Sequence, residues 1–198
     1  VGIGGVGSFC FETLIRCGVE NITVIDFDTY EESNLNRQLY ATIDTLGKKK
    51  IDTALARAKS INENVNINVL DTFLDFNSDF DFSSYDYIID ACDSVPAKAN
   101  LILNAKKYNK KIIVSLGIGN RVCPELVCKS TLKENLSDPL GKKLNHYLIK
   151  KCDFNENVNV ICSKEKPIKS QPISSYVCTT SVAGIYLSDY VIKDIING

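Results

Sequence analysis

The chain has 198 residues, of which 44% are hydrophobic and 24% charged, a composition typical of a folded globular protein rather than a disordered or coiled-coil one. Its 23 Lys and Arg against 24 Asp and Glu give a net charge of −1, which excludes a globally basic nucleic-acid binder and requires any RNA contact to use a local patch. No apolar run approaches the about 18 residues of a membrane span, and no signal segment opens the chain. We therefore expect a cytoplasmic protein with no membrane partner.

A glycine-rich turn opens the chain at residues 1–7. Apolar side chains at helical spacing follow over residues 8–17, and then a short β-branched strand at 21–26. Because such a turn normally follows a strand, we expect Val1 to be the last residue of a strand whose beginning is missing, so that the chain is N-terminally truncated.

Strands and helices continue to alternate after a polar loop. The patterns predict helices at 48–62 and 97–108, and strands at 66–70, 86–90 and 112–116. Strands that alternate with helices form a parallel sheet with right-handed crossovers and helices on both faces.

The pattern changes beyond Gly117. It predicts, in order, an antiparallel strand, a helix, a strand and a final helix, at residues 125–130, 138–150, 158–162 and 182–196. With no internal repeat and no linker, we predict one domain over residues 1–198. Its fold class is α/β, a Rossmann-like doubly wound, mostly parallel sheet with a C-terminal antiparallel extension.

Eight cysteines raise the question of a zinc site or disulfides. No two of them are separated by two residues, so the paired CxxC motif of a structural zinc site is absent and we expect no zinc. Because Cys10, Cys17 and Cys92 stand in apolar runs, we expect reduced, mostly buried thiols.

The turn Gly2-x-Gly4-Gly5-x-Gly7 stands between a strand and a helix. Backbone N–H groups and the helix dipole hold the phosphates of nucleotides in this setting. Asp26 follows at the end of the next strand, where a carboxylate can accept hydrogen bonds from ribose hydroxyls. The turn therefore predicts nucleotide binding, the alternative being glycines with a purely structural role.

Two later segments indicate which nucleotide binds. Residues 33–38 (SNLNRQ) supply amides and a guanidinium, and Lys48, Lys49 and Lys50 open the next helix. Each cation at a helix N-terminus interacts unfavourably with the helix dipole, at a cost of about 0.3–1 kcal/mol. An anion bound at that end would make the position favourable for these cations. A triphosphate needs such extra cations, so the segments favour ATP over a dinucleotide, with a solvated helix start as the alternative.

Two carboxylates follow the fourth predicted strand, at Asp90 and Asp93. Open α/β sheets bind ligands at the carboxyl ends of their strands, and a carboxylate there can hold Mg²⁺ against phosphates. We favour Asp93 as the metal ligand, because Asp90 can instead cap the following turn or helix.

Taken together and in this order, the motifs GIGGVG, IDFD, SNLNRQ, GKKK and DACDS resemble the ATP-adenylating family of ubiquitin-activating-enzyme-like proteins, which includes ThiF and MoeB. The resemblance implies MgATP binding, transfer of AMP onto a carboxylate and release of pyrophosphate. Position by position, it implies that Asp26 holds the ribose and that Asp93 holds the magnesium. The phosphates would be held by the glycine turn and by Asn34, Arg37, Gln38 and Lys50, with catalysis by Arg37, Lys50 and Asp93.

Further segments resemble one branch of that family, the tRNA threonylcarbamoyladenosine dehydratases. They lie at residues 115–122, 137–144, 163–168 and 182–184, and the chain lacks the paired zinc cysteines of ThiF and MoeB. This resemblance implies activation of the threonyl carboxylate of a modified adenosine in tRNA, followed by ring closure by the substrate's own nitrogen without a catalytic cysteine. It also implies a homodimer, in which an N-terminal arginine absent here reaches the partner's ATP, and sulfur-relay proteins as further partners.

The tRNA itself would need a basic surface. Eight lysines are candidates, although a solvated helix face is the simpler interpretation: they lie at 106, 107, 110, 111, 142, 143, 150 and 151.

Three other functions stay open. The nearest alternative is an adenylyltransferase that activates the C-terminus of a ubiquitin-like sulfur carrier, which the missing zinc cysteines disfavour. An NAD-dependent oxidoreductase is disfavoured by Arg37, Lys50 and Asp93 and by the presence of only one histidine. A non-catalytic nucleotide-binding scaffold is disfavoured because candidate residues for binding both the phosphates and the metal are present.

Overall fold

The computed structural model describes all residues, 1–198, and contains five α-helices and six β-strands. The helices are Gly7–Arg16 (α1), Lys50–Ile61 (α2), Val95–Lys107 (α3), Pro139–Cys152 (α4) and Val177–Asn197 (α5). The strands are Asn21–Ile25 (β1), Asn66–Leu70 (β2), Tyr87–Asp90 (β3), Lys111–Ser115 (β4), Val127–Thr131 (β5) and Asn159–Ser163 (β6). None of the five helices combines the length and the apolar character that crossing a bilayer requires.

The strands form two hydrogen-bonded groups. β1 pairs with β2 in parallel, and the second group has the order β3-β4-β6-β5, in which only β5 is antiparallel to its neighbour. The α/β fold class and the antiparallel extension are thereby confirmed.

The first two residues lie between the two groups of strands. The Val1 nitrogen donates a hydrogen bond to Ile89 O (2.8 Å), and the Ala91 N–H donates to Val1 O (2.9 Å). On the other side the Gly2 N–H donates to Ile25 O (2.8 Å). Val1 therefore pairs as the end of a strand between β1 and β3 would, and it joins both groups into one layer.

Helices cover both faces of this layer, because side chains along a strand point alternately to opposite faces. Ile113 and Ile161 contribute to a core with α1 and α5, whereas their neighbours Val114 and Val160 contribute to a core with α3 and α4. The doubly wound arrangement follows from this alternation of apolar residues in β4 and β6.

The α1–α5 contact depends on a glycine in the middle of α5. A Cβ atom at Gly184 would lie 2.3 Å from Val6 O and 2.9 Å from the Cβ of Phe9. No side chain fits there, so the two helices approach backbone to backbone. This contact fixes the position of α1, and with it the glycine turn that leads into α1.

Two expectations from the sequence are wrong, one about the start of the last helix and one about the burial of a thiol. The last helix begins at Val177 rather than at 182, because the hydroxyls of Thr179 and Thr180 hydrogen-bond to Tyr176 O (2.8 and 3.4 Å), so that polar residues continue the helix instead of forming a loop. Cys17 was expected among the mostly buried thiols but is exposed, because it follows α1 on the solvent side.

A buried ion pair connects β3, α3 and β4. The Lys98 ammonium lies 3.2 Å from Asp90 Oδ1 and donates a hydrogen bond to Ser115 O (2.7 Å), and both charged side chains are completely buried. The same Asp90 oxygen accepts from the Cys92 N–H (3.1 Å), which fixes the loop that carries Asp93. Asp90 thus caps the turn that follows β3, which is the structural role that the sequence offered as the alternative to binding a metal.

We predict that replacing Lys98 by Ala lowers the free energy of unfolding by about 3–5 kcal/mol, because the Asp90 carboxylate would stay buried without its partner. Urea unfolding followed by circular dichroism measures this loss, with the exposed Lys151→Ala as the matched control. The double variant Lys98→Ala/Asp90→Ala should recover part of the stability. A single variant as stable as the control would contradict the assignment.

Candidate functional site

A cavity of about 1310 Å³ opens at the carboxyl ends of β1, β3 and β4. Its walls come from the glycine turn, from the loops that follow these strands, from the start of α4 and from residues 167–175. Sites for one small molecule usually enclose about 300–1,000 Å³, so this cavity can hold a nucleotide together with part of a second molecule.

The glycine turn presents unpaired N–H groups to the cavity. The N–H groups of Gly4, Gly5 and Val6 form no hydrogen bond within the chain, and no side chain caps the start of α1. All three residues line the cavity. Free N–H groups at the positive end of a helix dipole bind phosphate oxygens, as the sequence motif predicts.

Gly2 and Gly7 of the turn lie against fixed backbone and require a glycine, and Gly5 leaves little room for a side chain. A Cβ at Gly2, where φ is +84°, would lie 3.0 Å from the Ala91 carbonyl, and one at Gly5 would lie 3.1 Å from the Cγ of Arg37. A Cβ at Gly7 would lie 1.8 Å from Gly2 O. Gly7 is buried and does not line the cavity, so its role is to let the turn close rather than to contact a ligand.

Asp26 lies at the edge of the cavity and holds the backbone on both sides. Its Oδ2 accepts from the Ile3 N–H (2.7 Å) and its Oδ1 from the Asp28 N–H (2.9 Å). Each oxygen keeps a lone pair with which it can accept a hydroxyl hydrogen. Beyond it, the rings of Phe27 and Phe73 form an edge-to-face pair with centroids 4.8 Å apart, also in the cavity wall.

The segment 33–38 lies against the glycine turn. Asn34 and Gln38 are buried and line the cavity, and the buried Oε1 atom of Gln38 has no hydrogen-bond partner. The Arg37 guanidinium donates to Ser33 O (2.6 Å) and to Asn36 Oδ1 (3.0 Å) and forms no ion pair with a carboxylate. Its charge is therefore available to an anion in the cavity.

Lys50 also lines the cavity but already has an anionic partner. Its ammonium lies 2.7 Å from Asp28 Oδ2, and its side chain is buried while that of Asp28 is half exposed. Of the three consecutive lysines only Lys50 reaches the cavity. Lys48 is exposed to solvent, and the ammonium of Lys49 lies 3.1 Å from Asp71 on the surface. Of these three lysines, only Lys50 could therefore contact an anion bound in the cavity.

Asp93 is exposed and forms no hydrogen bond or ion pair, although it lines the cavity. No group of three or more potential metal ligands occurs anywhere in the chain. Mg²⁺ usually keeps several waters and takes only one or two protein carboxylates beside the phosphates of a nucleotide. A single free carboxylate next to the phosphate wall therefore fits that ion.

Cys92 is the one thiol in the cavity wall, and its chemistry is that of a buried group. Burial, and then the neighbouring Asp90 carboxylate, raises the pKa of this thiol to about 12. Its Sγ lies 2.9 Å from Asp90 Oδ1, to which it donates. The thiol stays protonated at neutral pH and is not prepared to act as a nucleophile.

The far half of the cavity is built on a second buried ion pair. Arg121 and Asp138 are both buried, and Arg121 Nη2 lies 2.5 Å from Asp138 Oδ2. Asp138 Oδ1 also accepts from the Gly141 N–H (2.7 Å) and so caps α4. The next residues of α4 line the cavity, where the Leu140 N–H has no partner and Lys143 is exposed.

Of the eight lysines that were candidates for a tRNA surface, only Lys143 lines the cavity. Lys106 pairs with Glu156 (2.7 Å) and Lys111 with Asp194 (2.6 Å) at the surface. The lysines of α4 remain exposed without an ion pair, so the basic surface nearest to the cavity belongs to α4.

Several residues of the site received no role from the sequence, although Asp28, Arg121 and Asp138 lie within the segments that carry the family resemblance. Asp28 could have been found from its alternation with Asp26, and Asp138 from the Asp-Pro pair that typically begins a helix. The aromatic pair, Arg121 and the segment 167–175 carry no such signal, because their contacts join distant parts of the chain.

Comparisons with known proteins identify relatives along most of the chain. The tRNA threonylcarbamoyladenosine dehydratase of Haemophilus influenzae is 36% identical over 175 residues, which cover 87% of this chain and 67% of that protein. The dehydratase of Bacillus subtilis is 31% identical over 217 residues, an alignment that covers 99% of this chain and 85% of that protein. Structures of the Escherichia coli dehydratase with ATP and with AMP superpose with TM-scores of 0.92 and 0.94 at 28% and 30% identity, covering 99% of this chain and 84% of that one.

The family model described as ThiF matches residues 1–196, almost the whole chain. The motifs from which the resemblance was inferred all lie within this match. The chain belongs to the ThiF family.

Proposed function

We propose that this chain is an ATP-dependent tRNA threonylcarbamoyladenosine dehydratase. In this reaction the enzyme adenylates the threonyl carboxylate of the modified adenosine and allows it to close into a ring. The observation that carries the proposal is a single cavity with a phosphate-binding wall on one side and room for a second molecule on the other. The two dehydratases that match 87% and 99% of the chain support the choice of substrate.

ATP fits the near half of the cavity. Its phosphates would accept hydrogen bonds from the free N–H groups of the glycine turn and pair with Arg37 and Lys50, with Asn34 and Gln38 beside them. Asp26 would accept from the ribose, and the ring of Phe27 or Phe73 would pack against the adenine. Gly4 and Gly5 present free N–H groups to the ligand, Gly2 allows the close approach to Ala91, and Gly7 allows the turn to close.

Asp93 would hold Mg²⁺ against the phosphates. The ion would neutralise part of the charge that repels an approaching carboxylate. Asp93 suits this task because it has no competing partner in the chain, whereas Asp90 is already neutralised by Lys98.

The chemistry then needs positioning more than reactive side chains. The substrate carboxylate attacks the α-phosphate, AMP is transferred to it and pyrophosphate leaves, with Arg37 and Lys50 stabilising the charge that develops. The substrate's own nitrogen next attacks the activated carbonyl and releases AMP, so the nucleoside loses one water in total. No enzyme thiol is required, in agreement with the protonated Cys92.

The wider setting is part of the same proposal. We place the enzyme in the cytoplasm with its tRNA substrate, as one adenylating domain that works as a homodimer, with sulfur-relay proteins as further partners. Exposed apolar side chains on α5, among them Ile185 and Ile196, offer a surface for a second copy.

We predict that Asp93→Asn lowers the rate of pyrophosphate release about 100-fold while the fold stays intact, because it removes a metal ligand and no core contact. Pyrophosphate is measured with saturating ATP and tRNA, with circular dichroism as the folding control. Asp86→Asn, at an exposed acid in front of β3, is the matched variant and should keep normal turnover. If Asp93→Asn also turns over normally, the magnesium assignment is wrong.

We predict that the enzyme with ATP converts threonylcarbamoyladenosine in tRNA to a product that is lighter by one water. Nucleoside mass spectrometry under conditions that leave the ring intact measures the conversion. Unchanged nucleoside together with AMP transfer to a ubiquitin-like carrier protein would contradict the proposal and favour the sulfur-carrier adenylyltransferase.

We predict that reversing the charge of Lys142, Lys150 and Lys151 to Glu weakens tRNA binding about tenfold or more, because phosphate contacts depend on these cations. ATP binding, measured by calorimetry, should not change, since none of the three lines the cavity. Equal tRNA affinity of variant and wild type would exclude this face of α4 as the tRNA surface.

We predict a dimer by light scattering at micromolar concentration, because a family site completed by the partner needs a second copy. A fully active monomer would contradict this prediction.

A further inference from the structure

The segment 167–175, which we call the roof, lines the cavity without forming a helix or a strand. It contributes seven residues to the cavity wall: Pro167, Ile168, Lys169, Ser170, Gln171, Ile173 and Ser175. Its apolar side chains do not anchor it, since Ile168 is 51% and Ile173 73% exposed. Hydrogen bonds must therefore hold the roof in place.

Asn120 supplies four of these hydrogen bonds. Its N–H donates to Ser174 O (2.7 Å), and its carbonyl accepts from the Ile168 N–H (2.7 Å). Its side chain accepts from the Ser174 N–H (2.7 Å) and donates to Ser170 O (3.2 Å). Asn120 has a φ of +56°, a conformation that asparagine tolerates better than most residues, and it adopts this conformation where the roof meets the loop after β4.

Asn36 ties the other end of the roof to the phosphate wall. Its Nδ2 donates to Ser175 O (3.1 Å), while its Oδ1 accepts from Arg37 Nη1 (3.0 Å). One amide thus connects the end of the roof with the guanidinium that faces the phosphates. The roof is held at both sides of the cavity, by Asn120 on the far side and by Asn36 on the near side.

We propose that Asn36 and Asn120 are positioning residues that hold the roof over the activated carboxylate, so that the substrate's own nitrogen reaches the activated carbonyl and water does not. The inference rests on the proposed function and adds two residues to it. Neither asparagine contacts the reacting atoms, and both act through the roof.

The chemistry explains why such a roof is needed. If water attacks the activated carbonyl, the original carboxylate and AMP are formed, and one ATP has been converted to AMP and pyrophosphate without product. Ring closure by the internal nitrogen also releases AMP but leaves the cyclic nucleoside. A closed site prevents the first reaction by excluding water. The ratio of AMP to cyclic nucleoside therefore reports how well the roof is held.

The experiment compares variants that remove single tethers. Asn120→Gly accepts the positive φ and keeps the backbone hydrogen bonds but removes both side-chain bonds. Asn36→Asp keeps an acceptor for Arg37 but loses the donor to Ser175 O, whereas Asn36→Ala loses both. The matched controls are Asn109→Gly, at an asparagine with φ of +52° far from the roof, and Asn155→Asp, at an exposed asparagine.

We expect wild type and both controls to release about one AMP per cyclic nucleoside, as ring closure requires. Since one lost hydrogen bond changes an equilibrium by up to about tenfold, Asn120→Gly and Asn36→Asp should raise the AMP released in excess of the cyclic product by a comparable factor. The KM for ATP of Asn120→Gly should stay near the wild-type value, because all four hydrogen bonds of Asn120 go to the roof. Wild-type ratios in both Asn120→Gly and Asn36→Asp would overturn the inference. A wild-type ratio in Asn36→Asp together with a raised ratio in Asn36→Ala would show that Asn36 only holds Arg37, and would overturn its link to the roof.

A second measurement does not depend on the substrate. Hydrogen exchange of the Ser174 amide, which loses its side-chain acceptor in Asn120→Gly, should be about tenfold faster in this variant than in Asn109→Gly. The Ile168 amide keeps its bond to the carbonyl of residue 120, so its faster exchange would report that the roof itself opens more often. Unchanged exchange would overturn the tether even where the ratio changes. A wild-type enzyme that forms no cyclic nucleoside would instead contradict the proposed function, and the exchange rates would still decide whether Asn120 holds the roof.

Discussion

The close approach of the glycine turn to its neighbours constrains the rest of the structure. Within seven residues the backbone joins β1 to β3, contacts the loop that carries Asp93 and leads into a helix that lies directly on α5. A side chain at Gly2 or Gly7 would separate these parts, and so would one at Gly184 from the opposite side. The same turn joins the strands of the sheet and presents the free N–H groups to the cavity. The phosphate-binding geometry is therefore a consequence of how the sheet is assembled.

The two halves of the cavity are stabilised in different ways. In the near half, backbone N–H groups and single charged side chains face the cavity with few partners, so they are ready for a ligand. In the far half, the charged residues Arg121 and Asp138 are paired and buried, and they hold loops rather than a ligand. This division suits a reaction whose nucleophiles both belong to the substrate, because the enzyme has to supply charge on one side and shape on the other.

Patterns within short windows were sufficient to predict most of the fold and the near half of the cavity. Short β-branched runs identified the strands. The glycine turn and the order of the motifs identified Gly2, Asp26, Arg37, Lys50 and Asp93, which do line one cavity. The far half depends on contacts between distant segments, such as that of Asn120 with Ser174, which no local pattern contains. The start of α5 was misplaced for a related reason, because Thr179 and Thr180 have low helix propensity and the carbonyl that their hydroxyls contact is visible only in the folded chain.

The pairing of Lys50 with Asp28 has a consequence for the order in which ligands come and go. Before nucleotide enters, the ammonium is neutralised, so a ligand must offer more negative charge than one carboxylate in order to displace Asp28. A triphosphate offers more negative charge than the single phosphate of AMP, so the proposed contact of ATP with Lys50 would displace Asp28 more readily than a contact of AMP. When pyrophosphate has left and ring closure has freed AMP, Asp28 can return to Lys50. With Lys50 as a phosphate contact, as we propose, the same carboxylate would compete with weakly charged anions at the start and favour product release at the end of each turnover.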